Sequence, residues 1–257
     1  MRSPKRYISI ILIAVLTLAG CFSTCYFTIC FLANGKDIVL SGYGAEYDII
    51  TATVLDELAH GNINVFVLRE SPLLFRDKTM LPPISWTQKD FLLVADGLNQ
   101  TIRGETLKAW QLYDMNYMVR ECANAPFGIQ EARLDYFTVV TKTEEGRDIV
   151  NYITFEIFPR YENVIYGETV KSILGFLDWG KIDITKITIP ADVALNIVED
   201  GGGRAFRESI NNDCEIDITL NQSFWKSEWQ IEYWAFPPNS NKVFLVDAQS
   251  GEVSIGK

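Results

Sequence analysis

Apolar and polar positions along this chain fall into three regimes. The first is an unbroken apolar run, Tyr7 to Ala33, in which no residue is charged. The second and third are stretches where a helical period gives way to strand-like alternation. "TQKDFLLVADGLNQTI" places Phe91, Leu92, Val94, Ala95, Leu98 and Ile102 on one broad helical face. Thr87 is a candidate N-cap, with Asp90 three residues on. Strand-like pieces follow at "AWQLYDMNYM", "ARLDYFTVVTKT" and "IVNYITFEIF", the last two separated by a polar turn containing Gly146.

A similar order returns after Thr188. "PADVALNIVED" predicts a helix with Val193, Ala194, Ile197 and Val198 on one face and Pro190 in the first turn. Gly201, Gly202 and Gly203 predict its end. "CEIDITL" and "EWQIEYW" then alternate as strands, and "NKVFLVDAQSGEVSIG" closes the chain as strand, turn and strand. Val246, Val253 and Gly256 repeat the spacing of Ile157, Val164 and Gly167. The pattern therefore predicts an internal repeat: a first unit at 86–170 and a second at 186–257. Each is expected to be a small antiparallel sheet covered on one face by a helix. Strands that arrive in runs give the α+β class, with tandem helix-on-antiparallel-sheet units behind an N-terminal transmembrane or signal helix. Residues 34–85 read as a linker and N-terminal helix/strand segment: a juxtamembrane linker over 34–45 with a short strand at "DIVL", then a helix over "EYDIITATVLDELAHGN" stopped by Gly61, a strand at "INVFVLRE", and a proline-rich connection.

The second unit resembles the PepSY domain family. The residues that carry this are "ITIPADVALNIVEDGGG", then Trp229, Ile231 and Tyr233 in "EWQIEYW", then Val246, Asp247, Ala248, Gly251, Glu252 and Val253 in the closing hairpin. The first unit is a weaker match, with Phe158 and Glu162 where the motif has Asp and Gly. The resemblance implies a helix-on-sheet module of exported proteins and protease propeptides, associated with peptidase inhibition and with binding at the cell envelope. It brings no catalytic motif and no cofactor.

The apolar run sets the expected compartment. It exceeds the roughly 20 residues that span a bilayer as a helix. Arg2, Lys5 and Arg6 precede it, which places the N-terminus inside and the rest of the chain outside. "LAGC" also resembles a bacterial lipobox, making Cys21 a lipidation candidate. A single-pass anchor and a lipoprotein both fit, and both hold residues 34–257 at the extracytoplasmic surface of a membrane.

Charge narrows the partners. The formal net charge is −10, and three of the 23 basic residues lie in the first six positions. So acidic a surface repels phosphate backbones, and no nucleic-acid partner is expected. No catalytic chemistry emerges either. His60 is the lone histidine, so "ELAH" lacks the second ligand of a zinc-protease helix, and histidine-based triads have little to draw on. The glycines of "EDGGGRAF" follow a helix, whereas a phosphate loop leads into one. No metal or cofactor site is expected. Cys122 and Cys214 are candidates for a disulfide, with two independent buried thiols as the alternative. Trp234, on the face of its strand opposite Ile231, is the candidate partner contact. The leading expectation is thus a non-enzymatic binding protein whose sheet face or edge takes a peptidase or other envelope protein. The alternative is a small-ligand or envelope-sensing domain with its site between the units. An exposed apolar strip on a sheet edge favours the first.

Overall fold

The computed structural model describes residues 38–69, 79–143, 146–174, 181–223, 226–236 and 241–256. Ten strands and four α-helices run along the chain in this order: β1 (Ile38–Asp48), α1 (Val54–Ala59), β2 (Val67–Leu68), α2 (Gln88–Arg103), β3 (Gln111–Val119), β4 (Glu131–Lys142), β5 (Arg147–Phe158), β6 (Asn163–Leu174), α3 (Ala191–Val198), α4 (Arg204–Ser209), β7 (Cys214–Gln222), β8 (Ser227–Ala235), β9 (Lys242–Asp247) and β10 (Val253–Ile255).

All the strands join one antiparallel sheet, in the order β10-β9-β8-β7-β3-β4-β5-β6-β1-β2. This corrects the α+β expectation of tandem units, each with its own small sheet. The described residues are predominantly antiparallel sheet with few helices. The two meanders, β3 to β6 and β7 to β10, fuse because their first strands pair with each other, Asn116 opposite Thr219 and Val119 opposite Ile216. Each meander alone would leave that strand as an unpaired edge; pairing them removes both edges at once. No helix among the described residues is long and apolar enough to cross a membrane. The run Tyr7–Ala33 and Cys21 lie outside the described residues.

The helices gather on one face. Phe91, Val94, Ala95 and Leu98 of α2 are fully buried, in one core with Met115, Tyr117, Leu134 and Phe155 from the strands beneath. The Asp90 carboxylate caps α2 by accepting the Thr87 N–H at 2.7 Å. On α3 the buried stripe is Ala191, Ala194, Leu195 and Val198, while Val193 is exposed. The N-termini of α2 and α3 meet and cap each other: Gln88 N–H donates to Asp192 Oδ1 at 3.0 Å, and Ala191 N–H donates to Gln88 Oε1 at 2.7 Å. Two sets of orphan helix N–H groups are thus satisfied by the opposite half of the chain.

The triple glycine breaks the helix, as the sequence predicts. α3 ends, the chain kinks at Gly202, and a separate helix, α4, starts at Arg204. Gly202 has φ +122°, and a Cβ on Gly203 would lie 2.2 Å from the Tyr233 hydroxyl. The bend lets a buried network close. Tyr233 donates to Glu199 Oε1 at 2.8 Å, Arg207 Nε donates to Glu199 Oε2 at 2.8 Å, and Arg207 donates on to Asn212 Oδ1 at 2.6 Å. Burial and the Glu199 carboxylate push the Tyr233 hydroxyl far above its ordinary titration range, so it stays a donor.

Candidate binding surface

One stretch of sheet edge that no described strand covers belongs to β1. The sequence pattern marks 34–45 as a linker with a short strand at "DIVL"; residues 38–45 supply most of an eleven-residue strand, paired antiparallel to β6 from Ile38 opposite Ser172 to Asp48 opposite Asn163. Ala45 and Tyr47 turn toward the core. A bulge between Val39 and Ser41 resets the register, and Gly44 lies opposite Gly167. The glycines hid the strand: they break its alternation, and Gly42 and Gly44 read as loop residues.

Among the described residues, the outer side of β1 is covered at one end only. β2 pairs with Tyr47 and Asp48, and Arg69 N–H donates to Glu46 O at 2.9 Å. The Arg69 guanidinium joins Glu46 and Asp48 there. Beyond that point no described strand pairs with residues 38–45 on the outside. Since the Glu46 carbonyl points outward, antiparallel alternation points the N–H and C=O of Gly44 and Gly42 the same way. Along this edge Val39, Leu40 and Tyr43 are 60%, 54% and 54% exposed. Tyr43 keeps its ring beside Tyr166, centroids 6.2 Å apart.

The helix-free face of the sheet is polar at its centre. Asn116 donates to Asp217 Oδ1 at 2.6 Å and to Thr219 Oγ1 at 3.0 Å, across the β3–β7 seam. Asp135, buried, accepts from Thr154 and from Arg133 Nε. A shallow concavity of about 250 Å³ opens here between Met118, Arg120, Arg133, Glu156 and Phe158. Burial, reinforced by Asp135, raises the Asp114 carboxyl above its usual range, and burial likewise raises Glu131 against the opposing pull of Arg120. Each arginine is spoken for: Arg120 Nε sits 2.9 Å from Glu131, and Arg133 Nε 3.1 Å from Asp135.

The candidate residues from the sequence do not converge on one place. Cys122 and Cys214 are bonded, their Cα atoms 5.3 Å apart, and the bridge ties the turn after β3 to the start of β7. Trp234 is 45% exposed on the helix-free face, opposite Glu215 on β7. Neither is near β1, which is separated from β7 by four strands. His60 follows α1 at the surface, its imidazole raised by the Asp56 carbonyl and carboxylate. Among the described residues no group of three histidine, cysteine or acidic side chains is placed to hold a metal ion. No protein-family model matches the chain, and no curated protein matches it.

Proposed function

We propose that this chain is a membrane-held, extracytoplasmic binding protein without enzymatic activity, and that it takes an extended segment of a peptidase or other envelope protein on the outer edge of β1. The observation that carries the reading is the outer side of residues 38–45, which no described strand covers, with Val39, Leu40 and Tyr43 exposed along it. An unpaired edge offers a ready ladder of donors and acceptors; main-chain bonds supply affinity, and flanking apolar side chains supply selectivity. The net charge of −10 favours a basic partner and speeds its encounter. Membrane attachment rests on the apolar run Tyr7–Ala33, and the choice of a peptidase rests on the PepSY resemblance of the closing segment.

The test is photo-crosslinking from a benzophenone amino acid at position 43 of the full chain, in membranes of cells that make it. A discrete adduct is expected, absent when the same label is placed at Asn221 and strongly reduced by Gly42→Pro. That proline removes an outward N–H and leaves the β1–β6 ladder its own donors. No adduct, or an adduct indifferent to Gly42→Pro, overturns the reading. An adduct made only of two copies of this chain replaces the envelope partner with self-association.

A further inference from the structure

A second concavity, of about 550 Å³, lies on the helix side of the sheet, where α2 meets the segment Lys181–Ile184 that leads into the second half of the chain. Its walls are apolar, with Leu92 of α2, Leu107, Leu112 at the start of β3, and Ile182. Ile182 N–H donates to Leu112 O at 2.8 Å, so the connecting segment is pinned as one wall. The size is that of a small-molecule site, and so is the composition: mostly apolar, with a few convergent polar groups.

Those polar groups are unequal. Tyr136 is 6% exposed, lines this space, and its hydroxyl makes no hydrogen bond with any described residue. Its side chain forms part of the wall of the concavity. A tyrosine this deeply packed ordinarily finds a partner for its O–H. Asp96 is already engaged: one oxygen accepts Leu107 N–H at 2.6 Å and the other accepts Gln100 Nε2 at 2.9 Å. Burial, with Asp96 nearby, holds the Tyr136 hydroxyl protonated well above its ordinary range, so it acts as a donor. Lys108 and Lys181 stand in the same lining, two cations in a chain that is otherwise strongly acidic.

From this arrangement we infer a binding site for a monoanionic amphiphile: an apolar tail against Leu92, Leu107, Leu112 and Ile182, a polar atom accepting from Tyr136, and a carboxylate head facing Lys108 and Lys181. The inference goes beyond the edge-strand reading and does not depend on it, since the two sites lie on different elements.

The probe is a dodecanoate bearing a diazirine near its terminal carbon, applied to the full chain in phosphatidylcholine nanodiscs and mapped by mass spectrometry. Adducts are expected on peptides containing Leu92, Leu107 or Ile182, and unlabelled dodecanoate is expected to compete them away. Tyr136→Phe, which preserves the ring packing, should weaken labelling about fivefold, as loss of one hydrogen bond implies. Lys108→Gln with Lys181→Gln should weaken it by about fivefold or more, as loss of two solvent-exposed ion pairs implies. A dodecylamine probe with the same diazirine should label these peptides far less. Equal labelling by the cationic probe overturns the assignment of an anionic head. Adducts confined to peptides outside this lining overturn the site itself. Labelling that is indifferent to both substitutions overturns the roles given to Tyr136 and the lysines.

Discussion

Glu162 and Gly251 hold the same left-handed backbone position in two hairpins built to one plan. Ile157 pairs with Val164 across β5 and β6, and Val246 pairs with Val253 across β9 and β10. Glu162 follows Ile157 by the same interval that separates Gly251 from Val246, with φ +49° and +77° respectively. A side chain in this conformation costs about 1–2 kcal/mol. At Gly251 a Cβ would also reach Ile197 Cδ1 at 3.4 Å. Gly251→Ala should therefore lower stability by about 1–2 kcal/mol in urea unfolding. Glu162→Gly should change it by less than about 1 kcal/mol, because relief of strain is offset by the hydrogen bond from Thr51 N–H to Glu162 Oε1 at 3.3 Å. A silent Gly251→Ala would show that the turn does not need its left-handed residue.

The Cys122–Cys214 bridge closes a loop of 92 residues across the central β3–β7 pair. Such a cross-link restricts the unfolded chain, and its loss should lower stability by about 2–4 kcal/mol. Urea unfolding with and without reductant, beside the Cys122→Ala/Cys214→Ala double variant, measures this. Reduced protein and double variant should agree, since both sulfurs are buried in the apolar core.

Gly203 and Gly201 make a paired test of the bend between α3 and α4. A Cβ on Gly203 would collide with the Tyr233 hydroxyl and pull it from Glu199, whereas a Cβ on Gly201 meets nothing within 4 Å. Gly203→Ala should cost about 2–3 kcal/mol through overpacking and a disturbed buried ion pair. Gly201→Ala should be neutral or stabilise by up to about 1 kcal/mol, as expected for alanine replacing glycine in a helix. Melting temperatures of the two variants would separate these outcomes.

Two aspartates should shift the pH profile of stability in opposite senses. The Asp114 carboxyl is raised above its ordinary value of 3.8 by burial, then by Asp135. Between the unfolded and folded values the native state binds more protons, so stability falls as pH rises through that window. Asp114→Asn should accordingly be more stable than the parent at pH 7, the gain shrinking as the pH drops toward 3.8. Asp247 is lowered by the backbone N–H groups of Ser250 and Gln249. Its contribution is present above the unfolded value and lost as pH falls through the folded one. Asp247→Ala should thus be less stable at pH 7, the difference fading in acid. Urea midpoints at pH 7 and pH 3 decide both signs.

Local chemistry made much of this legible in the sequence. The α2 helix and its Thr87–Asp90 cap follow from a 3.6-residue period and a capping signature read within a few residues. Trp229, Ile231 and Tyr233 are buried while Trp234 is exposed, as strict alternation on β8 requires. The recurrence of the Ile157–Val164 spacing at Val246–Val253 is legible in the sequence alone. Other features were hidden for a physical reason. Val193 fits an apolar stripe on paper, yet the neighbouring strands bury Ala191 and Leu195 in its place. The triple glycine is legible as a helix break, but only the fold shows that Tyr233, from a distant strand, claims the space beside Gly203.

Strand and helix identity, and the position of turns, thus came from interactions within a few residues, which periodicity, capping and glycine placement record in order along the chain. The tertiary structure alone decided which edges meet. The pairing of Asn116 with Thr219 fuses two meanders into one sheet, the reciprocal capping of Gln88 and Asp192 joins two helix ends, and β1 is left at the margin with Gly42 and Gly44 turned outward. These choices depend on contacts between residues far apart in sequence, and no local pattern carries that information.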